Sequence, residues 1–258
     1  MNVLIGDIGN TYTKICLVEL NSLKIKKIIF FNSKNITSVN FLKQQINKIL
    51  INKNINKYAL FSSVVPRYYQ ILKNFLKKFH NTRLLEIKDK KIKKAIKINI
   101  KNKIQVGSDR IANAVGVYKE YKSNCIVLDF GTATTFDVIT KNGIYNGGII
   151  APGVNLSLNS LIKSADQIPP FQLKKQNKII GKNTLEALRS GFYWGYSGLI
   201  NNIILKIEKE TKKKYKIIFT GGYAKLFKTS INRPFKVDKN ITIKGIIEIF
   251  NENKKHLI

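Results

Sequence analysis

Two short segments carry the residue types that phosphate and cation chemistry requires. Gly6-Asp7-Ile8-Gly9-Asn10-Thr11 follows an apolar run near the start of the chain, and Asp129-Phe130-Gly131-Thr132-Ala133-Thr134-Thr135 follows another in the middle. Phosphate oxygens need backbone N–H groups that approach closely, which small residues permit, and their counter-cation needs oxygen ligands at fixed geometry. Asp7, at a strand end, is placed to orient magnesium directly or through its waters, while Asn10, Thr11 and the turn tip touch phosphate and Lys14 adds positive charge.

One Asp-x-Gly is ordinary turn chemistry. Two copies, each between strand-like runs, form a weak internal repeat and say more. The chain has only seven aspartates, and Asp7, Asp109, Asp129 and Asp137 all lie in or beside Gly/Thr-rich turns or within Gly107-Ser108-Asp109-Arg110. A third segment, Thr220-Gly221-Gly222, ends a strand, and its glycines let the backbone approach a flat ring or ribose. Together the three segments describe an ATP cleft. Gly181-Lys182-Asn183 lacks the hydroxyl and the earlier glycine of a P-loop, and no complete G-x-G-x-x-G is present.

Periodicity supplies the elements that must carry these residues. Val3 to Ile5 and Thr13 to Leu20 read as strands about a left-handed turn at Gly9-Asn10. A helix follows with Phe41, Leu42, Ile46, Ile49 and Leu50, then a strand from Tyr58 to Val65 stopped by Pro66, then a helix with Tyr69, Leu72, Leu76 and Phe79. Lys88 to Lys103 reads as an exposed connection before a helix that opens at Val106-Gly107-Ser108-Asp109-Arg110, runs through Tyr121 and has Ser108 as a candidate cap. Cys125 to Asp129 is a buried strand, and Phe136 to Tyr145 a hairpin about Asn142-Gly143. Gly147 to Gly153 is too glycine-rich for a regular element. Helical spacing resumes over Val154 to Ser164 and Thr184 to Lys209, a strand covers Lys216 to Phe219, and Ile241 to Phe250 is a final helix.

Composition excludes several classes. With 258 residues and 44% hydrophobic content the chain can form two packed lobes. Its apolar runs fall well short of the roughly 18 residues of a membrane span, so a cytoplasmic protein without membrane association is expected. Cys16 and Cys125 sit in apolar runs and read as buried thiols; His80 and His256 lack triad-like companions. The net charge of +31 raises nucleic acid as a partner, but only 5 of the 46 basic residues are arginine and the lysines are spread throughout. A general drift towards Lys, Ile and Asn explains that better, and no specific nucleic-acid binding is expected.

The double hairpin with a late Gly-Gly turn resembles the actin, hexokinase and Hsp70 type of ATPase. That resemblance implies an α/β fold of two duplicated actin-like (ribonuclease H-like) lobes with ATP in the cleft between them, expected here as residues 1–115 and 116–258, the final helix being free to pack back on the first. Within that superfamily, Asp7 to Thr11, Gly107 to Arg110, Asp129 to Thr135 and Gly147 to Gly153, in that order, resemble type III pantothenate kinases; Thr184 to Gly191 and Thr220 to Gly222 extend the match, with Asn21 to Lys101 its weakest stretch.

The resemblance implies ATP-dependent phosphorylation of pantothenate to 4'-phosphopantothenate, the first step of coenzyme A biosynthesis. Asp109 is then the general base and Arg110 holds the substrate carboxylate, with Gly107, Ser108 and Thr184 also at the substrate. The turn Asp7, Ile8, Gly9, Asn10, Thr11, Tyr12, Thr13 and Lys14 contacts ATP, joined by Thr132, Gly221 and Gly222. Asp129 implies a monovalent cation, potassium or ammonium, and Thr184 a homodimer with composite active sites. The chain departs from the family pattern at Asn102-Lys103-Ile104-Gln105, where relatives often have Pro after Asn, and at Ile100, near a frequent Tyr. Two rivals stand beside this reading: another actin-like small-molecule or sugar kinase, and a non-enzymatic transcriptional accessory protein of the same family.

Overall fold

The computed structural model describes residues 1–50, 54–229, 231 and 233–258. The chain divides into two compact units: residues 1–120, 143–145 and 240–258, and residues 121–142 and 146–239.

The first unit is built on a five-stranded sheet: β1 (Asn2–Ile8), β2 (Tyr12–Glu19), β3 (Ile25–Asn32), β4 (Tyr58–Ser63) and β5 (Arg83–Glu86), ordered β3-β2-β1-β4-β5. β1, β2 and β3 are antiparallel neighbours, while β4 and β5 add in parallel. Val3, Leu4 and Ile5 are at most 1% exposed, as expected of a central strand covered on both faces. α1 (Val39–Leu50) and α2 (Pro66–His80) bury Leu42, Ile46, Ile49, Leu72, Phe75 and Leu76 in the core of this unit. Pro66 opens α2 at a position where no N–H partner is lost.

α3 (Ser108–Tyr121) and α6 (Ile241–Glu252) also belong to this unit. Their backbones touch: a Cβ on Gly245 would fall 1.8 Å from Ala112 O, and one on Gly116 2.4 Å from Ile241 O. Thr242 Oγ1 donates to Asn113 Oδ1 at 2.7 Å across the same contact. The short strand β6 (Lys97–Ile98) pairs with Ile144 and Tyr145.

In the second unit, β7 (Cys125–Phe130), β8 (Ala133–Ile139), all but the first two residues of β9 (Ile144–Pro152), β10 (Lys216–Gly221) and β11 (Phe235–Val237) lie in the order β11-β10-β7-β8-β9. α4 (Val154–Ser164) and α5 (Thr184–Thr211) belong to this unit; Val154 of α4 and Tyr193, Tyr196, Ile200 and Ile204 of α5 pack with Leu128, Phe136 and Phe219 of the sheet. The segment Gly147 to Pro152 is strand, contrary to the loop its glycines suggest, because β8 supplies a neighbour that satisfies its backbone. A short α7 (Lys254–Leu257) ends the chain in the first unit. No helix among the described residues is long and apolar enough to cross a membrane.

Candidate functional site

In the first unit, β1 and β2 pair from Asn2↔Glu19 to Ile8↔Thr13, which sets Asp7 opposite Lys14. Gly9 N donates to Tyr12 O at 3.0 Å and closes the loop. Ser33, fully buried, braces it: its Oγ donates to Gly9 O at 2.7 Å, its N donates to Thr11 O at 2.9 Å, and its hydroxyl shares a 2.8 Å bond with that of Thr13. Neither Gly9 nor Asn10 is among the positive-φ residues, so the expected left-handed turn is not what forms. Gly9 is required by space, since a Cβ there would lie 2.9 Å from Tyr12 O. Asn10 and Thr11 are exposed at the tip, Tyr12 stacks on Phe30 at 4.8 Å, and Lys14 Nζ donates to Asn240 Oδ1 at 3.3 Å.

Parallel pairing of β1 with β4 sets Ser62 beside Asp7, and Ser62 Oγ donates to Asp7 Oδ1 at 2.7 Å. The carbonyl of the next residue, Ser63, accepts from Ser108 Oγ at 3.2 Å. Adjacent serines at the end of β4 thus connect the Asp7 carboxylate to the first turn of α3. Sequence reasoning missed both; the available signal was a pair of hydroxyls closing the apolar run Ala59-Leu60-Phe61. Ser108 is the first residue of α3, and its hydroxyl makes this bond to β4 instead of the expected cap.

Asp109 follows in the first turn of α3, and its Oδ1 accepts from Arg110 N at 2.8 Å. A Cβ on Gly107 would lie 2.5 Å from that same oxygen, so the glycine is the condition for this carboxylate position. Burial pushes the Asp109 carboxyl above the ordinary carboxylate value, opposed by the Arg110 N–H, the Arg110 charge and the Lys88 charge. The Arg110 guanidinium lies 5.8 Å from the Tyr145 ring, a cation–π distance.

In the second unit, Asp129 pairs with Thr135 on one side and Thr220 on the other. Gly131 N donates to Ala133 O at 3.0 Å. Phe130 faces Thr134 here, where Ile8 faces Thr13 in the first hairpin, so this turn is shorter. Gly221 has φ +82°, and a Cβ on it would sit 2.6 Å from the Phe130 backbone and 2.7 Å from Asp129 Oδ1. Gly222 N donates to Phe130 O at 3.0 Å. The Gly-Gly turn is therefore folded directly onto the strand end that carries Asp129. Thr132 is exposed in its turn, and Gly153, ahead of α4, lies so close that a Cβ would be 2.2 Å from Thr132 O.

Thr184, the first residue of α5, is exposed and lines an open cavity of about 600 Å³ with Pro152, Leu161, Leu188, Phe192 and Leu199. Along α5, a Cβ added at Gly191, Gly195 or Gly198 would meet nothing within 4 Å. Among the described residues no cluster of three or more His, Cys, Asp or Glu side chains could hold a metal. The donor set instead consists of single carboxylates beside N–H-rich turns. That suits a hard cation whose remaining ligands are phosphate oxygens and water.

The family model of type III pantothenate kinases matches residues 3–206. The type III pantothenate kinase of Pelagibacter ubique is 51% identical over 246 residues, covering 95% of this chain and 97% of that one. The chain belongs to the type III pantothenate kinase family. Membership makes it a phosphotransferase of a family that phosphorylates pantothenate in coenzyme A biosynthesis. Two solved structures share its fold. One is a Campylobacter jejuni protein described as a Baf family transcriptional activator, with TM-score 0.63 and 23% identity over 98% of this chain and 100% of that one. The other is the activator of the 2-hydroxyisocaproyl-CoA dehydratase from Clostridium difficile with bound ADPNP, with TM-score 0.60 and 11% identity over 99% and 97%. At these identities the likeness concerns the α/β fold alone.

Proposed function

We propose that the protein transfers the γ-phosphoryl group of ATP to the primary hydroxyl of pantothenate, with Asp109 as general base. The observation that carries this reading is the run of contacts from Asp7 through Ser62 and Ser63 to Ser108 and Asp109, which ties a phosphate turn to a base within one unit. The pantothenate hydroxyl oxygen forms the new bond to phosphorus, Asp109 accepts its proton, and the bond to the ADP oxygen breaks. Partial burial makes Asp109 a stronger base than an exposed carboxylate. Arg110 is the partner for the pantothenate carboxylate, with Gly107 and Ser108 lining the same approach.

In this reading Asp7, Ile8, Gly9, Asn10, Thr11, Tyr12, Thr13 and Lys14 form the phosphate turn, Thr132 adds a contact from the second hairpin, and Gly221 and Gly222 admit the adenosine. Asp7 would hold magnesium directly or through water, and Asp129 potassium or ammonium; such cations supply neutralisation of phosphate charge. The Gly221 cradle against Asp129 Oδ1, open only without a Cβ, fits an oxygen-ligated cation. Thr184 and the apolar cavity beside it, with the uncovered glycines of α5, support a homodimer in which Thr184 reaches the partner's substrate. The cytoplasm, where pantothenate and ATP meet, is the expected location. The test is ATP-dependent phosphorylation by the purified chain, comparing pantothenate with sugars.

A further inference from the structure

Lys88 lies in the stretch read from sequence as an exposed connection and is exposed, but its ammonium is committed to one segment of backbone. Its backbone is fixed from both sides: Ile87 N donates to Phe61 O at 2.9 Å, continuing the β4–β5 ladder, and Lys88 N donates to Glu86 Oε2 at 2.6 Å. From that anchor the ammonium donates to Ile104 O at 2.9 Å and to Val106 O at 3.0 Å. These two carbonyls immediately precede Gly107, Ser108 and Asp109. The segment contains no proline; Lys103–Gln105 is a single 3-10 turn capped by Asn102, whose Oδ1 accepts from Ile104 N at 3.3 Å and whose carbonyl accepts from Gln105 N at 3.2 Å, and Val106 after it is buried.

We propose that Lys88 is a positioning residue for phosphoryl transfer, its ammonium fixing the 104–106 backbone and thereby setting where Gly107 and Asp109 meet the acceptor. A lysine suits this task because three donors on one charged nitrogen can hold two carbonyls at once. The same charge acts on the Asp109 carboxylate, as does Arg110 on α3, and it also faces the Glu86 carboxylate at the end of β5. Lys88 therefore helps place the base, and its charge adds, behind Arg110, to what opposes the upward push of burial on the carboxyl. A displacement of about 1 Å at such a support is enough to cost up to about 10²-fold in rate.

The inference rests on the reading of Asp109 as base, and its test separates the two. Kinetics of the full chain are measured for pantothenate and for ATP from about pH 5 to about pH 9, in the wild type, Lys88→Met, Lys88→Gln and Lys88→Arg. Both neutral variants should raise KM for pantothenate about tenfold, leave KM for ATP within about twofold, and move the acidic limb of kcat/KM to higher pH. Lys88→Arg should restore the limb. Either neutral variant, folded, with wild-type KM for pantothenate and an unmoved limb would overturn the proposal, as would an Arg variant whose limb matches Met. A wild type inactive on pantothenate would instead overturn the function on which it rests.

Discussion

Ser62 Oγ donates a 2.7 Å hydrogen bond to Asp7 Oδ1, and it does so from a position that is fully buried. The bond fixes one oxygen of the Asp7 carboxylate, and the neighbouring Ser63 carbonyl fixes the start of α3 through Ser108. Ser62→Ala should therefore lower kcat/KM for ATP about tenfold, since a hydrogen bond to a charged group contributes about 1.5–3 kcal/mol. KM for pantothenate should change little. Steady-state kinetics with each substrate varied in turn check this, and an unchanged ATP dependence would count against the role of Asp7.

Asp109→Asn should keep the fold, bind ATP, and lose about 10² to 10⁴ in kcat, the usual contribution of a general base. Near-wild-type turnover would remove Asp109 from the mechanism. Asn retains an oxygen for the Arg110 N–H, so geometry alone does not account for such a loss.

Ionisation of Asp109 gives a signed dependence on pH. Burial raises its folded carboxyl above the ordinary value, so activity should fall as pH drops through that raised pKa, earlier than for an exposed aspartate. Stability has the opposite sign. The folded state holds the proton more tightly than the unfolded one, so stability is lost as pH rises from the ordinary carboxylate value through the raised one. Asp109→Asn should accordingly melt at or above the wild-type temperature at neutral pH, with the advantage vanishing in acid. A lower melting temperature at neutral pH would show that the carboxylate stabilises the fold.

Gly221→Ala should impair nucleotide binding and stability together. Its φ of +82° and the 2.6 Å approach to Phe130 leave no room for a methyl group, and strain of this kind costs about 1–3 kcal/mol. Thermal melts with and without ATP measure both effects; a variant with wild-type melting and wild-type ATP response would refute the close approach.

Leu161→Glu tests the proposed homodimer. Leu161 lines the cavity beside Thr184 and is 37% exposed. A charge there should convert a dimeric wild type to monomer in light scattering and raise KM for pantothenate, while a monomeric, active wild type would exclude composite sites.

Much of this was legible in the sequence because local chemistry dictates it. Asp7-Gly9 and Asp129-Gly131 each fall where an apolar strand must turn, and Gly107 to Arg110 opens a helix at the position expected. Elements with weak local patterning were not legible. β3 and β5 exist because neighbouring strands satisfy their backbones, and Gly147 to Pro152 is strand for the same reason. The supporting residues were hidden by distance: Ser62 lies 55 residues from Asp7 and Ser108 lies 45 from Ser63. Ser33 braces the first turn across 24 residues. Side-chain partners of this kind follow from sheet order, which periodicity does not specify.

The most direct measurement is transfer of labelled γ-phosphate from ATP by the purified chain, run on pantothenate and on a panel of sugars and short acids, with magnesium and either potassium or sodium. The expected product is 4'-phosphopantothenate, with activity collapsing when sodium replaces potassium. Phosphorylation of a sugar with pantothenate untouched would contradict it.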